Sequence, residues 1–295
     1  MRWQMGRRSD NVEDRRGMAP TARAGGIGGL GLLVILGISL LMGVNPLNLI
    51  GLLNGGGVES PAPQAPTGPA PGRPGEPGRV GVDSQADFVS VILADTEDTW
   101  GQIFAASGRS YAPPRLVLFN QATQSACGLG QAAMGPFYCP QDRQVYIDLS
   151  FFRELDRRFG APGDFAQAYV IAHEVGHHVQ NLLGIAGEVH GMRRRANPQQ
   201  ANALSVLMEL QADCLAGVWA HHADRQRKIL EPGDAEEGLR AAAAIGDDVM
   251  QRRGQGHVVP ESWTHGSSVQ RVQWFRQGLT AGRVERCDTF EAAQR

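Results

Sequence analysis

The sequence predicts a helix-dominated α+β domain over residues 81–295, preceded by one transmembrane helix and a Pro/Gly-rich linker. Three observations carry that reading. An uncharged apolar run fills residues 25–44, prolines and glycines crowd residues 54–80, and beyond them helical hydrophobic spacing outweighs strand-like spacing. The 295 residues are 42% hydrophobic and 20% charged, which supplies a buried core and excludes wholesale disorder. A net charge of −2 removes the electrostatic case for a nucleic-acid partner.

Residues 1–24 come first and carry Arg2, Arg7, Arg8, Arg15, Arg16 and Arg23. From Gly25 to Val44 there is no charge, and Ser39 is the single hydroxyl. Twenty helical positions span about 30 Å, the thickness of a bilayer core. Apolar residues resume from Leu47 to Leu53 after Asn45-Pro46, and the next basic residue is Arg73. The length of chain before the apolar run speaks against a cleaved signal peptide. The positive-inside rule then predicts a cytoplasmic segment over 1–24, a signal anchor over 25–53, and a domain on the periplasmic or extracellular side. The expectation is a single-pass protein of the cell membrane, in contact with lipid through one helix. Residues 54–80, with Pro61, Pro63, Pro66, Pro69, Pro71, Pro74 and Pro77, predict an extended spacer of about 3 Å per residue.

In the domain, Ser84 is placed to cap a helix over residues 85–104, with Phe88, Val91, Ile92 and Trp100 on its apolar side. Residues 115–120 and 144–149 read as short strands. Helical spacing recurs over 165–183, over 199–222 after Asn197-Pro198, over 234–252 and over 267–279. Cys127, Cys139, Cys214 and Cys287 all follow the apolar run, on the side the topology makes oxidising, so two disulfides are expected. Cys127 and Cys139 flank a Gly-rich turn and suit a local bridge, which leaves Cys214 with Cys287.

The chemistry lies in His173-Glu174-Val175-Gly176-His177. Positions i and i+4 of a helix share a face, so both imidazoles reach one Zn²⁺ and Glu174 sits beside it, placed to take a proton from metal-bound water. A catalytic zinc takes three protein ligands and keeps one position open. Glu209 and Asp213 repeat the i, i+4 spacing in an otherwise apolar helix, where carboxylates need partners. Glu209 is the candidate third ligand, and Asp213 the candidate hydrogen-bond partner of a ligand imidazole. Trp263-Thr264-His265-Gly266 follows, with Arg271 six residues after His265. His265 can hydrogen-bond a developing oxyanion, and Arg271 can pair with an active-site carboxylate or with substrate. His190 is the reserve ligand should Glu209 fail.

HEVGH, ELQAD and TH followed by Arg271 resemble the zinc metallopeptidases in which HExxH is completed by ExxxD. RRSDNVEDRRG, the apolar run and SACGLGQAAMGPFYCP are similar to one group among them, the neutral zinc metallopeptidase family of bacterial single-pass membrane proteins. The resemblance covers nearly the whole chain, least in the Pro-rich linker. It implies a zinc-peptidase fold, one Zn²⁺ per chain on His173, His177 and Glu209, and Glu174 as general base. The assignments of His265 and Arg271 follow from similarity to the TH…R element of related membrane-linked peptidases. The activity implied is hydrolysis of a peptide or protein substrate. The competing expectation is a zinc-stabilised extracytoplasmic module that binds or regulates a partner without turnover.

Overall fold

In the computed structural model, which describes residues 1–18 and 83–294, the chain opens with a strand. The expected anchor over 25–53 and spacer over 54–80 lie outside the described residues. Strand β1 (Val12–Asp14) precedes the long helix α1 (Ser84–Ala106). Strands β2 (Arg115–Phe119), β3 (Ala122–Ser125), β4 (Gly128–Gln131), β5 (Phe137–Cys139) and β6 (Gln144–Asp148) follow. The main sheet has the order β1-β2-β6-β5, parallel across its first three strands and antiparallel between β6 and β5. A separate hairpin pairs β3 with β4.

The continuous apolar runs of β2 and β6 suit central parallel strands covered on both faces. Leu116, Leu118, Val145 and Ile147 point into the main core beneath the helices. Val117, Phe119 and Tyr146 point the other way, where Phe137 stacks on Tyr146 at 4.7 Å between ring centroids.

Residues 1–18 belong to the same compact unit as residues 83–294. Val12 and Asp14 pair with Leu116 and Leu118, and Trp3 packs edge-on against Phe88 at 5.2 Å. Of the arginines that read as topology signals, Arg7, Arg8 and Arg16 have acidic partners among the described residues. Arg7 meets Glu97 and Asp98, both at 2.8 Å, Arg8 meets Asp87 at 2.7 Å, and Arg16 pairs with Asp14 and Asp83. Helix α1 is capped by Asp83, which accepts from the Gln85 and Ala86 backbone, and Ser84 is its first residue.

Helices α2 (Ser150–Arg157), α3 (Asp164–Leu182), α4 (Ile185–Arg193) and α5 (Pro198–Arg227) come next. Fourteen of the nineteen residues of α3 are buried. Asn197 and Gln200 form a capping box at the start of α5, with Pro198 at its first position. Among the described residues α5 is the one helix long and apolar enough to cross a membrane, yet its central turns are core, packed between neighbouring helices.

The expected single helix over 234–252 is two, α6 (Asp234–Ala244) and α7 (Asp247–Gln255). The break falls where the Ile245 carbonyl turns to accept from Arg271 Nη1 at 3.3 Å. Helices α8 (Ser268–Ala281) and α9 (Thr289–Ala292) complete the chain. Helix α8 crosses α5 with backbones nearly touching. A Cβ on Gly278 would lie 1.9 Å from the Cys214 carbonyl oxygen, and one on Gly217 2.2 Å from that of Phe275. Only glycine permits that approach, and the approach brings Arg271 of α8 to Asp213 of α5.

Both expected disulfides form, Cys127–Cys139 at 2.04 Å and Cys214–Cys287 at 2.02 Å. The first ties the β3–β4 hairpin to β5; the second ties α5 to the C-terminal turn. Their sequence separations are 12 and 73 residues, and loop-closure entropy grows with length. Replacing Cys214 and Cys287 together by Ala is expected to cost about 2–5 kcal/mol, and more than the same change at Cys127 and Cys139. Urea unfolding of the two double variants beside wild type checks the order.

Candidate metal centre

Helices α3 and α5 bring the site together. His173 and His177 lie one turn apart on α3, with ring centroids 4.8 Å from each other. Glu209 reaches them from α5: Oε2 is 3.1 Å from His173 Nε2, and Oε1 is 3.4 Å from His177 Nε2. One donor atom from each of the three residues lies within 4.8 Å of the others. His190, the reserve ligand, is exposed and outside this group. Gly176 lets the helices close in, since a Cβ there would sit 3.0 Å from the Ala212 carbonyl oxygen.

The remaining ring nitrogens are engaged. His173 Nδ1 donates to Asp213 Oδ1 at 2.9 Å, and His177 Nδ1 donates to Gln180 Oε1 at 2.8 Å. Gln180 is pinned in turn, its amide donating to the Met208 carbonyl at 2.7 Å and to Gln211 Oε1 at 3.0 Å. With Nδ1 engaged in both rings, Nε2 is the nitrogen each imidazole would offer to a metal on the Glu209 side. Two such nitrogens and a carboxylate, converging at the edge of an open cavity, are the donor set of a catalytic zinc, so the residues fit the metal.

Asp213 lies behind the metal-binding edge, fully buried. Arg271 grips it with a bidentate fork, Nε to Oδ2 at 2.8 Å and Nη2 to Oδ1 at 2.9 Å. Of the two roles expected for Arg271, the carboxylate partner is the one it fills. Burial alone would push the Asp213 carboxyl up, but Arg271 and His173 outweigh it and hold the group below its ordinary value. Burial likewise opposes ionisation of Glu209, and His177 with His173 holds it well below the carboxylate range. Burial would lower His173, yet Asp213 and Glu209 push it up to about 10. The two carboxylates therefore create a field that calls for a cation between the imidazoles and Glu209. A metal that takes this place displaces protons.

Glu174 is buried and lines a cavity of about 610 Å³ together with His173, His177, Glu209, His265 and Arg271. Burial raises its carboxyl above the ordinary glutamate value. Across the cavity, the Thr264–Gly266 loop wraps around Asp247, the first residue of α7. Asp247 Oδ2 accepts from the backbone N–H groups of Thr264, His265 and Gly266 at 2.8, 2.6 and 2.9 Å. Its Oδ1 is 3.3 Å from His265 Nδ1, which leaves Nε2 as the ring nitrogen available to the cavity. The hydrogen bond that the ring donates to Asp247 raises the His265 pKa.

Asp247, Tyr169 and Gln180 are positioning residues that sequence reading missed. Tyr169 donates to Asp213 Oδ1 at 2.5 Å and accepts from Arg271 Nη2 at 3.3 Å. It stands four residues before His173, so the helical period that joins His173 to His177 also places it on that face. No spacing joins Asp247 to His265; the loop that unites them is a tertiary feature. His178 faces elsewhere, as its angle around the helix predicts. Its Nε2 donates to the Ala112 carbonyl at 2.7 Å and its Nδ1 accepts from Tyr138 at 3.0 Å, while burial lowers it to about 4.

The chain is 49% identical over 295 residues to the uncharacterized protein YpfJ of Escherichia coli, covering 98% of this chain and 99% of that one. It is 40% identical over 266 residues to the uncharacterized protein Rv2575 of Mycobacterium tuberculosis, covering 86% of each. No solved structure matches. The model of the putative neutral zinc metallopeptidase family matches residues 1–290, from the N-terminal strand through the site to the second disulfide, and the chain belongs to that family.

Proposed function

We propose that the protein is a membrane-attached, zinc-dependent peptidase in which Glu174 is the general base. The observation that carries this is the convergence of His173 Nε2, His177 Nε2 and Glu209 at a cavity whose wall also holds the Glu174 carboxyl. His173, His177 and Glu209 would hold one ion per chain. When bound, zinc supplies Lewis-acid polarisation of the peptide carbonyl and an acidified water. Glu174 takes the proton of the attacking water on its carboxylate and passes it to the leaving amine. Its burial makes it a stronger base than an exposed glutamate. His265 donates from its imidazole to the carbonyl oxygen as charge grows there. Asp247 aims that ring, and Asp213, braced by Arg271 and Tyr169, aims His173.

The substrate is a peptide or protein segment in extended form. Strand β5 is an edge of its sheet, and Phe137 and Tyr138 line the cavity, so a substrate strand can add to that edge. A zinc site kept for stability alone has no use for a buried carboxyl facing an open cavity, which favours turnover over a silent binding module.

The test uses the purified full chain in detergent with an unfolded protein such as casein. The expected result is one zinc per chain, hydrolysis abolished by a chelator, and recovery when zinc is restored. A folded sample that binds no zinc overturns the reading, and so does a zinc-loaded sample that leaves every unfolded substrate intact.

His265→Ala is expected to lower kcat by about 10²–10³-fold, the usual loss for one oxyanion donor. Asp247→Asn makes a smaller change with a signature in pH. Asp247 raises the His265 pKa, so the rate borne by protonated His265 is present below that pKa and lost as pH rises through it. Without the Asp247 charge the alkaline loss moves to lower pH, a shift that zinc, present in both proteins, does not reverse. An unmoved alkaline limb in Asp247→Asn removes His265 as the donor.

A further inference from the structure

We infer that residues 1–18 and the domain over 83–294 lie on the same, oxidising side of the membrane. The inference rests on packing and is independent of the peptidase reading.

The N-terminal stretch is held along its length. Arg2 N–H donates to the Ile229 carbonyl at 2.8 Å, Ser9 N–H to that of Ser90 at 3.1 Å, and Arg15 N–H to that of Leu118 at 2.8 Å. Leu116 N–H returns a bond to the Asn11 carbonyl at 2.8 Å. Glu97 accepts from Ser9 and Asn11 at 2.5 and 2.8 Å on its Oε1, while Arg7 takes its Oε2. At the end of this stretch Arg16 is in ion contact with Asp83, where the chain re-enters the domain. Two points on one folded body, one ion pair apart, cannot face each other across about 30 Å of hydrocarbon.

The membrane signal in the sequence is the apolar run over residues 25–53. Helix α5, the one described helix long and apolar enough to span, is core. The positive-inside cue loses its force because Arg7, Arg8 and Arg16 are matched by acidic partners in the fold. The two disulfides place the whole body on the oxidising side.

The experiment places a single reporter cysteine in the full chain, at Met5, whose side chain is 99% exposed, or at Asp10 as a second N-terminal site. Ser107→Cys reports on the domain. A membrane-impermeant maleimide is applied to spheroplasts before and after permeabilisation, and membranes are extracted with alkaline carbonate. Expected are equal labelling of N-terminal and domain reporters before permeabilisation, a before-to-after ratio near one for each, and retention of the protein in the carbonate pellet. Labelling of Ser107→Cys outside while Met5→Cys and Asp10→Cys react only after permeabilisation overturns the inference in favour of a single crossing. Labelling of all three only after permeabilisation overturns the placement on the oxidising side. Release into the carbonate supernatant overturns the anchor.

Discussion

Glu174→Gln is expected to lower the rate of peptide hydrolysis by about 10²–10⁴-fold, the range that a general base contributes. Glutamine keeps the size and shape of the side chain and cannot take up a proton. The donor set is untouched, because His173 is fixed by Asp213, His177 by Gln180, and neither bond involves Glu174. Zinc content should therefore stay at the wild-type value while turnover falls. Metal analysis and initial rates on the same preparation separate the possibilities. Zinc lost together with activity would make Glu174 part of the metal-binding structure, and a rate near wild type would remove it from proton transfer. Glu209→Ala gives the contrast, since it should lose zinc and activity together.

Asp213→Ala should be the most damaging single change to stability, at about 3–5 kcal/mol, because it leaves the Arg271 guanidinium buried without its counter-charge. Arg271 is 2% exposed and Asp213 fully buried, so water cannot replace the lost partner. The same change frees His173 Nδ1 and should weaken zinc binding by about 10–100-fold. The double change Asp213→Leu with Arg271→Met separates the two effects. It removes both charges, so stability should return toward wild type while zinc affinity stays low. Urea titration reads the first and competition with a chromophoric chelator the second. A double variant as unstable as Asp213→Ala would mean that packing, rather than uncompensated charge, dominates there.

The site was more legible in the sequence than the fold around it. His173, Glu174, His177, Glu209 and Asp213 announce themselves through one local rule, the helical period, and helices α3 and α5 obey it because their apolar faces are buried against each other. Arg271 was visible as a cation without an assigned partner; its match with Asp213 depends on the Gly217–Gly278 crossing, which no local pattern encodes. Asp247 was hidden for the same reason, as was the break at Ile245, where a carbonyl leaves its helix for Arg271. Strand β1 was the largest omission. Three residues, two of them acidic and followed by Arg15 and Arg16, carry no strand signal of their own, and they are a strand only because Leu116 and Leu118 wait beside them. Charge pattern near an apolar run then suggested topology, where the fold uses the same arginines for ion pairs.

That strand also has a consequence for how the protein is made. Strand β1 is synthesised before the whole apolar and proline-rich segment and β2 after it, so the pairing of Val12 with Leu116 is far from local. Contacts of high sequence separation form late and slow folding. The body of the domain must therefore wait with β2 as an exposed, unpaired edge until its own N-terminus returns to cover it. A chain synthesised without residues 1–18 would keep that edge open, and a peptide of those eighteen residues, supplied separately, is the natural piece to close it.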